Sequence, residues 1–287
     1  MITRKDRFSQ SMQNIPPSGI RKFFEMLIGH DDVISLSVGE PDFPTPWGIR
    51  EEAYYHLEKG HTSYTSNWGL IELREEIAKY MTRYNLSYNP TNEILVTVGA
   101  SEGVDAVLRA ILNPGDEIIV VQPCYVNYAP LAELCQAKVI PLDSSINGYY
   151  PTAEQIKNAI TPKTKAIMLC SPNNPTGNLL NTTEIEKILK GFDGIVVIDE
   201  AYIDFSDKAS WLTKLNKYPQ MVILQTFSKA WGLAAARCGM AFASEEIISF
   251  FNKVKYPYNI NILTQKLILE KLEQVEIKNN WVKEILS

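Results

Sequence analysis

Several kinds of chemistry are thinly supplied in this chain of 287 residues. It has four cysteines, Cys124, Cys135, Cys170 and Cys238, with no CxxC pair among them. That spacing offers neither a disulfide framework nor a thiolate zinc site, and it implies reduced thiols in a cytoplasmic protein. The three histidines, His30, His56 and His61, are not spaced as metal ligands, so no metal is expected. Positive charge is not in surplus: the formal net charge is −5. A phosphate-backbone binder needs a basic stripe, and the pair Lys253 and Lys255 is the nearest approach to one, so nucleic acid is not an expected partner. No apolar run nears the roughly 18 residues of a membrane span, and the opening MITRKDRFSQ has no apolar signal core. After Gly239 there is no glycine, and Pro257 is the only proline.

What the chain does have is 45% apolar residues and a regular alternation of pattern. Short β-rich runs over 94–98, 117–121, 138–142, 166–170, 195–199, 221–225 and 240–243 read as strands. Helical patterns fall between them over 102–112, 128–136, 153–160 and 183–190. The first of these puts Val104, Val107, Leu108, Ile111 and Leu112 on one face. Such alternation predicts an α/β domain with a mostly parallel sheet covered by helices on both faces. Ligands of such sheets bind where loops leave the carboxyl ends of the strands. Upstream, 19–27 reads as a helix before the proline-rich turn GEPDFPTP. Downstream, 264–286 reads as one long helix.

Five segments at strand ends carry candidate chemistry. In QTFSKAWGLAAAR, Lys229 sits among small apolar residues after the hydroxyls of Thr226 and Ser228, with Arg237 eight positions on. Most lysines are surface charges, but an apolar setting makes an amine easier to deprotonate and a better nucleophile toward a carbonyl. Arg237 supplies a fixed charge suited to a phosphate. Asp199 ends the apolar run GIVVIDEAY, where it is either a helix cap or a buried acid at a ligand site; Tyr202 follows. SPNNPTG has the makings of a tight turn, and Asn174 adds side-chain donors. TVGASEG runs from strand into helix, leaving the N–H groups of Gly99, Ala100 and Ser101 free for an anion. Tyr125 and Tyr64 are aromatics after strands, more often packing than a platform for a ring. Together the segments describe one ligand with a carbonyl, a phosphate, a basic ring nitrogen and an aromatic face. Pyridoxal 5′-phosphate (PLP) has all four parts.

The ordered set GEPDF, Y-x4-G-x3-LR, GASEG, SPNNPTG, DEAY and SK-x7-R resembles the class I/II PLP-dependent aminotransferases of fold-type I, over nearly the whole chain. The half before SPNNPTG resembles the aspartate and aromatic aminotransferases. The half after it resembles histidinol-phosphate aminotransferase. The resemblance implies that Lys229 joins the cofactor's aldehyde and later moves a proton. It implies that Asp199 holds the ring nitrogen and that Asn174 and Tyr202 reach the ring's phenolic oxygen. Gly99, Ala100, Ser101, Thr226, Ser228 and Arg237 would seat the phosphate, Tyr125 would stack on the ring, and Gly39 and Asn174 would line the substrate site. Tyr64 resembles a tyrosine that serves the neighbouring subunit, which implies a homodimer.

The same resemblance divides the chain into an N-terminal arm with part of a small domain (1–45), a PLP-binding large domain (46–255), and an interdomain helix opening a truncated small domain (256–287). Family members carry a further arginine on that domain, which grips the substrate carboxylate. Here Arg237 is the last arginine, and Arg21, Arg50, Arg74, Arg83 and Arg109 read as surface charges on helices. The expectation is an aminotransferase acting on histidinol phosphate, aspartate or an aromatic amino acid with a 2-oxo acid such as 2-oxoglutarate. PLP-dependent lyase or decarboxylase chemistry, or a cofactor-binding but inactive fragment, are the alternatives.

Overall fold

The computed structural model describes residues 7–17, Gly19, Met26 and 39–287. The helix expected over 19–27, and Arg21 with it, lie outside the described residues apart from two isolated positions. Among the described residues, seven strands form one sheet: β1 (Ile94–Thr97), β2 (Glu117–Gln122), β3 (Lys138–Asp143), β4 (Thr164–Cys170), β5 (Ile195–Asp199), β6 (Met221–Thr226) and β7 (Gly239–Phe242). Their order across the sheet is β1-β7-β6-β5-β4-β2-β3. All neighbours are parallel except β7, which runs antiparallel to both β1 and β6. The helices among the described residues are α1 (Gln10–Asn14), α2 (Trp47–Glu58), α3 (Ile71–Thr82), α4 (Gly99–Ile111), α5 (Tyr128–Leu134), α6 (Ala153–Ala159), α7 (Thr182–Gly191), α8 (Glu245–Val254), α9 (Ile262–Glu273) and α10 (Val275–Leu286). The expected α/β architecture is what the chain forms.

The central strands are apolar without interruption because both faces are covered. Along β4, Ile167 and Leu169 enter one core while Ala166 and Met168 enter the other. Each fully buried Ile, Leu or Met contributes about 1.5–3 kcal/mol of transfer free energy. Helix α4 lays Val104, Val107 and Leu108 on the second core. Gly103 lets it come close: a Cβ there would stand 2.8 Å from the Leu224 side chain of β6.

Register then decides where the chemistry gathers. Cys170 pairs with Asp199, and Asp199 with Leu224. Gly239 pairs with Thr97 on one side and Thr226 on the other. The carboxyl ends of β1, β4, β5 and β6 therefore stand side by side at one edge of the sheet.

Two expectations are corrected. The segment 264–286 is two helices, α9 and α10, divided at Gln274, whose N–H turns back to the Lys271 carbonyl. The second helix is set by tertiary contacts invisible to periodicity: Trp281 stacks on Phe43 at 5.2 Å, and Lys278 pairs with Asp204 at 2.7 Å. Arg74 is not a surface charge but 7% exposed. It donates to the carbonyls of Gly69 and Pro90, so a long charged side chain is tied down by loop backbone. Arg50, Arg83 and Arg109 are exposed as expected.

Candidate active site

A cavity of about 440 Å³ opens at that edge. Lys229, Asp199, Tyr202, Asn174, Tyr125, Ala100, Ser101, Thr226, Ser228 and Arg237, all singled out from sequence, line it. A larger hollow of about 1190 Å³ lies at the opposite edge, beside Thr164 and Ile195. Its charged groups, Lys165, Asp193, Glu245 and Glu246, are all exposed, so water already serves them.

Asp199 is 5% exposed at the end of β5. Its Oδ2 accepts from the Tyr128 hydroxyl at 2.6 Å and its Oδ1 from the Ala201 N–H at 3.0 Å. Burial pushes the carboxyl above its ordinary pKa, and the Tyr128 bond works against that rise. Lys229 follows β6. Its Nζ donates to the Gly39 carbonyl at 2.6 Å and lies 5.3 Å from the centre of the Tyr202 ring. Burial lowers the amine below its usual value; Glu40 opposes this and Arg237 adds to it. Asn174 Nδ2 donates to the Tyr202 hydroxyl at 3.3 Å.

The other end of the cavity is built by close backbone approach. Gly99 starts α4 at φ +70°, and a Cβ there would lie 2.8 Å from Arg237 Nη2. A Cβ on Gly239 would lie 2.6 Å from the Gly99 carbonyl carbon and 2.7 Å from Ala100 N. Arg237, itself left-handed at φ 50°, donates to Ser228 Oγ at 3.3 Å. The Thr226 and Ser228 hydroxyls share a hydrogen bond of 3.0 Å. Val98 gives the helix no side-chain cap, so the first N–H groups of α4 have no partner of that kind. These donors converge on the end of the cavity where Ala100, Ser101 and Arg237 meet, a setting suited to a phosphate. Tyr125 stands over the same end, its hydroxyl 3.4 Å from Ser101 Oγ.

Two sequence candidates lie elsewhere. Tyr64 is 82% exposed, stacked on Tyr258 at 4.7 Å, and does not line the cavity. Gly39 does not line the cavity, but its carbonyl accepts from Lys229, on a strap over 39–46. The strap is held by Lys229, by the Phe43–Trp281 stack and by Thr45 Oγ1 donating to the Gly232 carbonyl at 3.4 Å. Sequence reading missed Tyr128 and Glu40, which both line the cavity. The Tyr-x-x-Tyr spacing of Tyr125 and Tyr128 after a strand was a usable signal, and Glu40 lay within the GEPDF motif without being singled out.

The family model described as "Aminotransferase class I and II" matches residues 31–287. The Bacillus subtilis (strain 168) protein YugH, assigned to the aminotransferases, is 44% identical over 82% of this chain and 63% of its own length. Histidinol-phosphate aminotransferase of Cytophaga hutchinsonii is 47% identical over 66% of this chain and 54% of its own length. The chain thus spans about three fifths of the length of these curated relatives. Among solved structures, aspartate aminotransferase from Thermus thermophilus with maleate superposes with a TM-score of 0.85 at 29% identity, over 96% of this chain and 75% of that one.

The cofactor of that family is PLP, and the residues present fit it. A half-buried amine, a buried carboxylate, Arg237 and the start of α4 at Ala100 and Ser101 all line one cavity, and the close approach of Gly99 and Gly239 behind them leaves no room for a Cβ. With the fold, the cavity and the match over 31–287 in agreement, this chain belongs to the class I and II aminotransferase family.

Proposed function

We propose that this chain carries the cofactor-holding part of an aminotransferase that moves an amino group between an amino acid or amine and a 2-oxo acid such as 2-oxoglutarate. The observation that carries this reading is the opening of Lys229 and Asp199 onto one cavity whose far end gathers Arg237 and the start of α4. When bound, PLP supplies an electron sink beside the carbon that loses its proton. Lys229, its amine lowered by burial, is suited to attack a carbonyl and then to hold and return a proton. Asp199 is a buried acid that gains from a cation placed against it, since such a partner offsets the cost of burial. Asn174 and Tyr202 offer donors to a ring oxygen; Gly99, Ala100, Ser101, Thr226, Ser228 and Arg237 offer a phosphate seat. Gly39 and Asn174 flank the substrate.

Histidinol phosphate is favoured as amino donor by relatives of that name at 45–47% identity. Aspartate or an aromatic amino acid is favoured by the superposition on aspartate aminotransferases at 29–31%. A homodimer belongs to the same reading: two exposed aromatic pairs, Trp47 with Tyr54 and Tyr64 with Tyr258, are surfaces that a second copy would cover. So do a cytoplasmic location and the division at 46–255 and 256–287. No helix among the described residues is long and apolar enough to cross a membrane.

The test is covalent. The protein mixed with PLP and reduced with borohydride should carry the cofactor on the peptide containing Lys229. Lys229→Ala should abolish the adduct. An undiminished adduct in that variant overturns the assignment. Amino donors assayed with 2-oxoglutarate then rank the substrates.

A further inference from the structure

The phosphate seat has an acid beneath it. Glu102 lies one turn into α4, its side chain 12% exposed, and its Oε2 accepts from the Val98 N–H at 2.6 Å. This bond satisfies the N–H of Val98 itself, leaving the first N–H groups of α4 without a side-chain partner, and fixes the strand-to-helix turn. It also places a negative charge within about one turn of the N–H groups that the proposed function gives to a phosphate. Left alone, that charge would oppose a dianion at the same helix start.

The charge is not left alone. Lys255 follows α8 with a side chain that is 0% exposed. Its Nζ donates to the Val96 carbonyl of β1 at 2.6 Å and stands 4.0 Å from Glu102 Oε2. Asn259 Nδ2 donates to the other carboxylate oxygen. The charged or titratable groups that bear on Lys255 are Glu102 and the Cys238 thiol. Burial lowers its amine to about 8, and Glu102 resists that fall. A buried ammonium is costly without a partner, so its presence here calls for a reason beyond chance surface pairing.

We propose that Lys255 is a positioning residue for the phosphate seat: from behind the turn it cancels the charge of Glu102, so that Glu102 can fix the turn without repelling the anion the turn presents its N–H groups to. This rests on the reading that the start of α4 seats the cofactor phosphate. Lys255 touches neither cofactor nor substrate, and its effect is carried by Glu102 and the Val96 carbonyl. The segment that follows it is tied to the loop before α3. Tyr258 N–H donates to Asn67 Oδ1 at 2.9 Å, and the Ile260 carbonyl accepts from Thr65 Oγ1 at 2.9 Å.

The experiment compares two aldehydes that differ only in the phosphate, PLP and pyridoxal. The full chain is titrated with each, and the adduct at Lys229 is followed by visible absorbance and borohydride trapping. The ratio of the two affinities reads the phosphate seat and is insensitive to general loosening of the fold. Lys255→Met should lower the ratio by about tenfold or more, because it leaves a buried carboxylate uncompensated. Glu102→Gln alone should not lower it, and Lys255→Met with Glu102→Gln should recover most of the loss. A Lys255→Met protein that folds and keeps the wild-type ratio overturns the proposal. So does a double variant that loses as much as the single one, since that outcome marks a purely structural role. Should Lys255→Met not fold, Glu102→Gln and the double variant decide: the proposal stands if both hold the wild-type ratio and falls if either loses it. Equal affinity of the unaltered protein for the two aldehydes would instead overturn the seat itself.

Discussion

The sheet side and the strap side of the cavity are held in different ways. On the sheet side, Asp199 and Thr226 end their strands, Ser228 follows β6 and Arg237 stands just before β7, and each is tied to a neighbouring group. Asp199 is fixed by Tyr128 and Ala201, and Thr226 by Ser228 and the Cys238 carbonyl. On the strap side, the Lys229 amine is bonded to the carbonyl of Gly39, on a strap that no sheet bond secures. The first side is set when the core packs. The second depends on three separate points, Gly39, Phe43 and Thr45. The difference teaches that the groups borne by the sheet are preformed, while the strap over Lys229 is held by contacts that a single substitution can release.

Substitutions on the two sides should differ accordingly. Asp199→Asn should have the largest effect: cofactor still binds, but turnover falls roughly a hundredfold or more, since an amide does not stabilise a cationic ring nitrogen. Steady-state rates with PLP saturating would show it, and near-normal turnover would remove Asp199 from the chemistry. Tyr128→Phe should cost about tenfold in rate, the scale of one hydrogen bond to a charged group. Without that donor, burial raises the Asp199 carboxyl further. The carboxylate form is then lost at a higher pH, and the acid limb of the pH–rate profile should move upward. An unmoved limb would mean that the bond is only packing. Phe43→Ala should matter least, about twofold to tenfold, the worth of one stacked aromatic pair. Its mark should be faster proteolysis within 39–46 with PLP affinity unchanged. A fall in PLP affinity in Phe43→Ala, or a fall in turnover as large as that of Asp199→Asn, would erase the distinction between the two sides.

Much of the sheet side was legible in the sequence. Apolar runs with turn residues after them locate strand ends, and ten of the residues singled out there meet around one cavity. What stayed hidden depends on contacts between distant segments. The break at Gln274 has no glycine or proline to announce it, because Trp281 and Lys278 set the course of α10 from outside the helix. Arg74 looks like any helical arginine until Gly69 and Pro90 turn their carbonyls toward it. Lys255 carried only the signal of a charged pair with Lys253, whose partner Lys253 sits over the exposed ring of Phe250 instead. Tyr64 is exposed and does not line the cavity.

The one antiparallel strand has a consequence for how the site comes into being. β7 is wedged between β1 and β6, so Thr97 has no sheet neighbour until Gly239 arrives, about 140 residues later in the chain. During synthesis the turn at Gly99 must therefore wait, unbraced, while β2 to β6 are laid down. Arg237 reaches it in the same short stretch that brings β7. The anion seat is thus among the last features to assemble, and a nascent chain stopped before residue 237 would hold most of the sheet yet lack both Arg237 and the strand that pairs with Thr97.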